Sequence, residues 1–237
     1  MPTLFNFNYR AATFRKNLVD IIKLLKFANS VRNHNRDMGI AERKIRQKEE
    51  VRISILDAAW AIVAEDGWQA LSIRKIAEAI EYSVPVIYDH FASKEAILLE
   101  FTKQGFRMLN EEMIKAKKRS TDPEKQIEAM AYSYWEFAFE HKAYYQVMYG
   151  LGMPSCETVS QISELGAFTS LVIQPIKDVI AESNNKDTDP MLKLHTFWSM
   201  LHGLISINMM NNNEAKRELN QMVIQDFIAA FITGIKK

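Results

Sequence analysis

The chain has 237 residues, 48% hydrophobic and 25% charged, with a net charge of +1, which is globular composition for one large domain or two smaller ones. Its 6 Pro, 8 Gly and single cysteine, Cys156, argue against glycine-rich phosphate loops, an intrachain disulfide framework and a multi-cysteine zinc cage. No apolar run approaches the ~18 residues of a transmembrane helix, and no secretory signal pattern opens the chain, so no membrane partner is expected and the expected compartment is the cytoplasm.

Charge is unevenly spread. Residues 1–48 carry 11 Lys and Arg against 3 Asp and Glu, residues 49–100 carry 4 against 10, and the remainder is nearly balanced. A basic arm therefore precedes an acidic segment. Residues 1–37 hold one amphipathic stretch, 17–31, and then a polar linker. They read either as an upstream extension or as an interaction arm, because the run from Met38 resembles a natural start.

Helical periodicity begins near residue 41 and runs to 65, with Val51, Ile55, Ala58, Ala59 and Ile62 on one face. Asp66-Gly67 stops it. Ser72 predicts the cap of a short helix to 80, Glu81-Tyr82-Ser83 a turn, and Ser83 with Pro85 the start of a second short helix to 88. Ser93 caps a long helix from Lys94, with Glu95 in its first turn and Gly105 as a bend. Asp122-Pro123-Glu124 opens a helix to 140. Further helices are predicted over 143–149, 157–183, 190–210 and 215–234, with loops at 150–154, 184–190 and 211–213. No alternating pattern marks a strand, and the fold class is all-α.

Two short helices joined by three residues and braced by a third form a helix-turn-helix. The second must offer side chains to base edges while its neighbours grip phosphates. Ile73, Ile76, Ala77, Ile87 and Phe91 supply an apolar underside for both.

Within residues 55–97, Ala58-Ala59, Asp66-Gly67-Trp68, Ser72, Ile76-Ala77, Ser83 and Tyr88-Asp89-His90-Phe91-Ala92-Ser93-Lys94 recur at fixed spacing. This segment resembles the N-terminal domain of the tetracycline-repressor (TetR) family. The resemblance implies a helix-turn-helix DNA-binding domain over 38–97 and a helical ligand-binding and dimerisation domain over 98–237. It implies phosphate contacts from Ser72, Arg74, Lys75, Tyr88, His90 and Lys94, base contacts at Val84, Pro85 and Val86, and a place for the capping Ser83 among the DNA-binding residues. Arg, Lys, Ser, Tyr and helix-start N–H groups are suitable phosphate donors.

Two departures bear on affinity. The family turn carries Gly where this chain has Glu81, and a positive φ at a non-glycine residue costs about 1 kcal/mol, so a turn of different shape is expected. Glu81 and Asp89 also place negative charge near the DNA face. The apolar Val84, Pro85 and Val86 suit thymine methyl groups rather than guanine. Modest affinity is expected, assisted by Arg43, Lys44, Arg46 and Lys48, a run that is otherwise a solvated helix face.

The C-terminal body is rich in large apolar residues. Trp135, Tyr144, Tyr145, Met148, Phe168, Trp198 and His202 are candidate effector contacts, since Met and polar-tipped aromatics suit an adaptable pocket. Residues 142–149 (KAYYQVMY) and 197–204 (FWSMLHGL) resemble a family C-terminal type with a Trp/His-Gly signature, met here by His202-Gly203. Gly203 inside a helix predicts a tight crossing. His195 and His202 share a face, as sensors or as core and interface histidines. No spacing supports a metal site, and no cofactor is expected.

The resemblance further implies pairing through the last two helices, with Ile205, Ile207, Val223, Phe227, Ile228 and Phe231 on the interface. The expected function is a homodimeric, non-enzymatic regulator of double-stranded operator DNA. It is read as a repressor released by an apolar or amphipathic small molecule that shifts the helix beginning at Lys94. The rivals are a helical interaction module with a degenerate helix-turn-helix, and an enzyme pairing His202 with Glu136, for which the spacing gives no nucleophile–base pair.

Overall fold

A computed structural model describes residues 39–149, 162–184, 186–210 and 217–236. The 1–37 extension, Cys156 and the expected loops at 150–154 and 211–213 lie outside the described residues. The chain divides into two units after Ile55. Of the first, residues 39–55 are described and contain the opening half of one helix, α1 (Ile40–Asp66). Arg43, Lys44 and Lys48 are exposed along it, and the half-buried Arg46 lies 3.5 Å from Glu50.

The second unit begins with the closing half of α1. A 3-10 turn (Trp68–Ala70) follows, then α2 (Ile73–Ala79), α3 (Val84–His90), α4 (Lys94–Lys117), α5 (Pro123–Glu140) and α6 (Lys142–Tyr149). The series closes with α7 (Ser163–Glu182), α8 (Pro190–Met210) and α9 (Arg217–Lys236). Every regular element among the described residues is helical. None is long and apolar enough to cross a membrane. Most limits fall within two residues of the sequence reading, because local caps set them. Asp122 Oδ1 accepts the Glu124 and Lys125 N–H groups at 2.9 and 3.4 Å, with Pro123 in the first turn of α5.

Helix α4 is the spine of this unit. Its buried stripe includes Leu98, Thr102, Gly105, Leu109, Met113 and Ala116, and α5, α6 and α7 all pack on it. Burying each large apolar side chain contributes about 1.5–3 kcal/mol. Gly105 serves close packing: a Cβ there would meet Met148 Sδ at 2.5 Å and Cγ at 2.9 Å, so its small size lets α6 lie against α4. Thr102 adds to the same contact, donating to the Leu98 carbonyl at 3.0 Å and the Val147 carbonyl at 3.4 Å.

Helices α8 and α9 differ from the reading at two points. Ile205, Phe227, Ile228 and Phe231 are buried within the chain, while Ile207 and Val223 are exposed. A Cβ on Gly203 would meet nothing within 4 Å, so the expected tight crossing is not found among the described residues.

Candidate DNA interface and aromatic cluster

Ser72 stands in extended conformation before α2, and its Oγ accepts the Lys75 N–H at 3.2 Å, which is the predicted cap. Ile76, Ala77, Ile87 and Phe91 are buried and Ile73 is half-buried. This underside holds two seven-residue helices that would be marginal alone. The chain reverses at Glu81, whose φ of 58° is the one positive value at a non-glycine among the described residues. Tyr82 N–H donates to the Ala77 carbonyl at 3.0 Å. The left-handed turn is therefore kept, and Glu81 carries a cost of about 1 kcal/mol that Gly would avoid.

Ser83 occupies the N-cap position of α3, but its side chain makes no capping bond. Val84 and Val86 are half-buried and Pro85 is exposed. Tyr88 is 52% exposed, Asp89 is exposed and His90 is half-buried. The cations at the start of α2 are engaged with acids: Arg74 bonds Glu78 at 2.9 Å, and Lys75 lies 3.5 Å from Asp66. Exposed pairs like these are worth about 0–1 kcal/mol, so a phosphate can replace the carboxylate at little cost. Lys94 is the first residue of α4, whose cap Ser93 accepts the Ala96 N–H at 3.3 Å. Hydrogen bonds from Ser93 and from its own N–H hold the Glu95 carboxyl below the usual range.

Behind the helix-turn-helix lies an aromatic joint. Trp60 of α1 stacks on Tyr144 of α6, with centroids 4.3 Å apart and planes at 23°. Trp68 meets Trp60 edge-on at 6.1 Å, and Phe101 of α4 lies within 5.6 Å of both. Trp68 Nε1 donates to the Ala143 carbonyl at 2.8 Å. The DNA-side helices are thus tied to α6 through rings and one buried-side hydrogen bond.

A second cluster sits on another side of α6. His202 of α8 bonds the Tyr145 hydroxyl through Nδ1 and lies 3.5 Å from the Tyr134 hydroxyl at Nε2. It stacks on Trp198 at 5.9 Å and 19°, and meets Tyr149 edge-on at 4.2 Å. Trp198 Nε1 donates to the Tyr134 hydroxyl at 3.1 Å. Phe168 of α7 closes on Tyr134 and Trp198 at 5.9 and 5.6 Å. Burial pushes the His202 imidazole down to about 4, so it is neutral at neutral pH. Burial, and then the neighbouring tyrosines, push Tyr134 and Tyr145 above the ordinary tyrosine value.

Two family models match this chain: bacterial regulatory proteins of the tetR family over residues 55–101, and the tetracyclin repressor-like C-terminal domain over residues 127–225. The chain belongs to the tetracycline-repressor family. It is a DNA-binding transcriptional regulator, and its helix-turn-helix is the family's reading head. Solved structures share the fold at low identity. PfmR, a TetR family regulator from Thermus thermophilus, is 19% identical with a TM-score of 0.56, covering 77% of this chain and 99% of its own. FadR from Bacillus subtilis in complex with stearoyl-CoA is 17% identical with a TM-score of 0.59, covering 78% and 97%. RolR in complex with resorcinol is 15% identical with a TM-score of 0.57, covering 79% and 88%. No curated sequence matches this chain.

In this TetR-family regulator, Tyr145, Phe168, Trp198 and His202 come together. The other three candidate effector contacts lie elsewhere: Tyr144 at the aromatic joint, Met148 against Gly105, and Trp135 on the outer side of α5 with Phe139 at 4.6 Å. His195 is exposed. Tyr134, Tyr149 and Phe106 join the cluster without having been singled out. Tyr149 follows Tyr145 by one helical turn, a signal present in the sequence. The joint partners Trp60 and Phe101 carried none.

Proposed function

We propose that this regulator is a cytoplasmic, homodimeric repressor that leaves operator DNA when a small apolar or amphipathic effector enters the ring cluster. The observation that carries this reading is the double role of α6: Tyr144 stacks on Trp60 on the DNA side, while Tyr145 bonds His202 in the body. An effector that displaces Tyr145 moves the helix bearing Tyr144. A coupling of about 1–3 kcal/mol is enough for a useful switch. Small molecules bound to the FadR and RolR relatives support an effector of some kind.

In this reading residues 38–97 bind DNA and 98–237 bind effector and pair. Ser72, Arg74, Lys75, Tyr88, His90 and Lys94 hold phosphates. Val84, Pro85 and Val86 face bases, Ser83 lies beside them on the DNA-binding surface, and Arg43, Lys44, Arg46 and Lys48 add positive charge. His202-Gly203 stands as the Trp/His-Gly signature of the C-terminal domain. Exposed Met200, Ile207, Leu219, Met222 and Val223 on α8 and α9 support pairing by these helices. Two half-sites then add, as one short helix reads too few bases.

The test is fluorescence anisotropy of the full chain on DNA from its own upstream region across a salt series. A log–log slope near −0.9 per neutralised phosphate is expected. A flat response would identify an interaction module instead. Screening small molecules for release of the bound fragment tests the effector half.

A further inference from the structure

We propose that α3 is a methyl reader: it takes 5-methylcytosine as well as thymine in the major groove, so that methylation of an operator cytosine raises affinity. This rests on the reading of α3 as the base-facing helix and names the base chemistry that helix selects.

The segment from Glu81 to His90 holds no Arg, Lys, Asn or Gln. Those are the side chains whose paired hydrogen bonds single out guanine or adenine. The backbone does not replace them. Pro85, in the first turn of α3, has no N–H, and the Val86 N–H is spent on the Ser83 carbonyl at 3.0 Å. The hydroxyls of Tyr82, Ser83 and Tyr88 each donate and accept, so they suit any base edge or a phosphate and select none.

What remains at the start of α3 is apolar. Pro85 is exposed, with Val84 and Val86 half-buried on either side of it. Ile87 is fully buried, which fixes the side that α3 turns inward and leaves this patch outward. Valine is branched at Cβ and keeps one preferred rotamer in a helix, so its methyl groups form a fixed surface. The apolar feature of a base pair in the major groove is the C5-methyl of thymine. Ordinary cytosine lacks it, and methylation at C5 places the same group on the same ring atom.

Thymine and 5-methylcytosine still differ at C4, where one carries an oxygen and the other an amino group. Asp89 makes that difference tolerable. It is exposed four residues after Pro85, on the same face of α3, and its carboxylate only accepts. It can take the amino group of cytosine or of adenine, and it is repelled by N7 and O6 of guanine. Both a thymine–adenine pair and a 5-methylcytosine–guanine pair therefore offer this face a methyl and an amino donor.

The test begins with selection by the full chain from a duplex library randomised over two half-sites. Anisotropy on the selected duplex then follows single replacements in one half-site. At one or more thymines, deoxyuridine should weaken binding at least about fourfold, the burial of one methyl group. There, cytosine paired with guanine should bind as weakly as deoxyuridine, and 5-methylcytosine should restore affinity to within about twofold of thymine. 7-Deazaguanine, which lacks the N7 acceptor, should change nothing. Contacts of the basic arm in the minor groove would be blind to all these methyl groups. Val84→Ala or Val86→Ala should bring the thymine-to-uracil ratio close to one, whereas Lys94→Ala should weaken binding and keep the ratio. Indifference to uracil at every thymine, equal binding of cytosine and 5-methylcytosine, or a loss with 7-deazaguanine as large as that with uracil overturns the proposal. So does a ratio unaltered in both valine variants. Those results leave α3 as the reading helix; failure to select any site from ordinary DNA removes that reading and this proposal together.

Discussion

Tyr144 and Trp60 lie face to face, centroids 4.3 Å apart, and join the helix beneath the body to the helix that precedes the reading head. A stacked pair of this kind is worth about 0.5–1.5 kcal/mol beyond its buried area. Tyr144→Leu should therefore lower stability by about that amount and leave operator affinity within a few-fold. Effector-driven release should fall sharply. Parallel melting curves and anisotropy with and without effector check this; full release in the variant would remove the joint from the signal path.

Gly105→Ala should destabilise the chain by about 1 kcal/mol. Overpacking costs about 1–3 kcal/mol, and the better helix propensity of alanine returns about 1. Met148 Sδ, at 2.5 Å from the added Cβ, is the atom that must give way. The double variant with Met148→Ala should be less destabilised than the two single losses added together. Additivity in urea unfolding would show that the close approach is not the cause.

Glu81→Gly should stabilise the fold by about 0.5–1 kcal/mol, because φ 58° carries no penalty for glycine. It should also tighten operator binding by removing a negative charge. Glu81→Ala separates the two effects: affinity rises while stability does not, since alanine keeps the strain. A stability gain in the alanine variant would contradict this account.

Protonation of His202 sets a pH dependence. Its folded value is about 4 against an ordinary 6.5, so between these the unfolded chain takes up a proton that the folded chain refuses. Stability attributable to this group is fully present above pH 6.5. It falls as the pH drops towards 4, by at most about 1.4 kcal/mol per pH unit. His202→Asn should flatten that part of the profile in urea midpoints taken between pH 4.5 and 7.5. Parallel profiles would mean that His202 titrates normally.

At the DNA face, Lys94→Ala should weaken binding to every sequence alike and reduce the salt slope by about 0.9. Val84→Ala should instead change the preferred base, by about 1–3 kcal/mol at one position. Binding to a randomised half-site library reads both. The same outcome for the two variants would erase the division between grip and readout.

What the sequence made legible was what short-range chemistry decides. Ser72, Ser93 and Asp122-Pro123 announced their helices because a cap needs only the next three residues. The left-handed turn at Glu81 was harder, since glycine's absence suggested another shape. The buried undersides of α2 and α3 hold that turn closed. Gly105 predicted a bend, but its role depends on Met148, 43 positions away. The ring cluster was half visible. Tyr144 and Tyr145 are identical neighbours, about 100° apart around a helix. Which of them faces the body is decided only when α1 and α8 arrive.

The two flanks of α6 are built from different residues. If one flank selects the ligand and the other reports its arrival, each can drift under separate selection. Descendants of this chain could exchange Tyr145 or Trp198 to recognise a new compound while inheriting the Tyr144–Trp60 contact unchanged. An eight-residue helix would then act as an adaptor, its input side open to innovation and its output side held fixed.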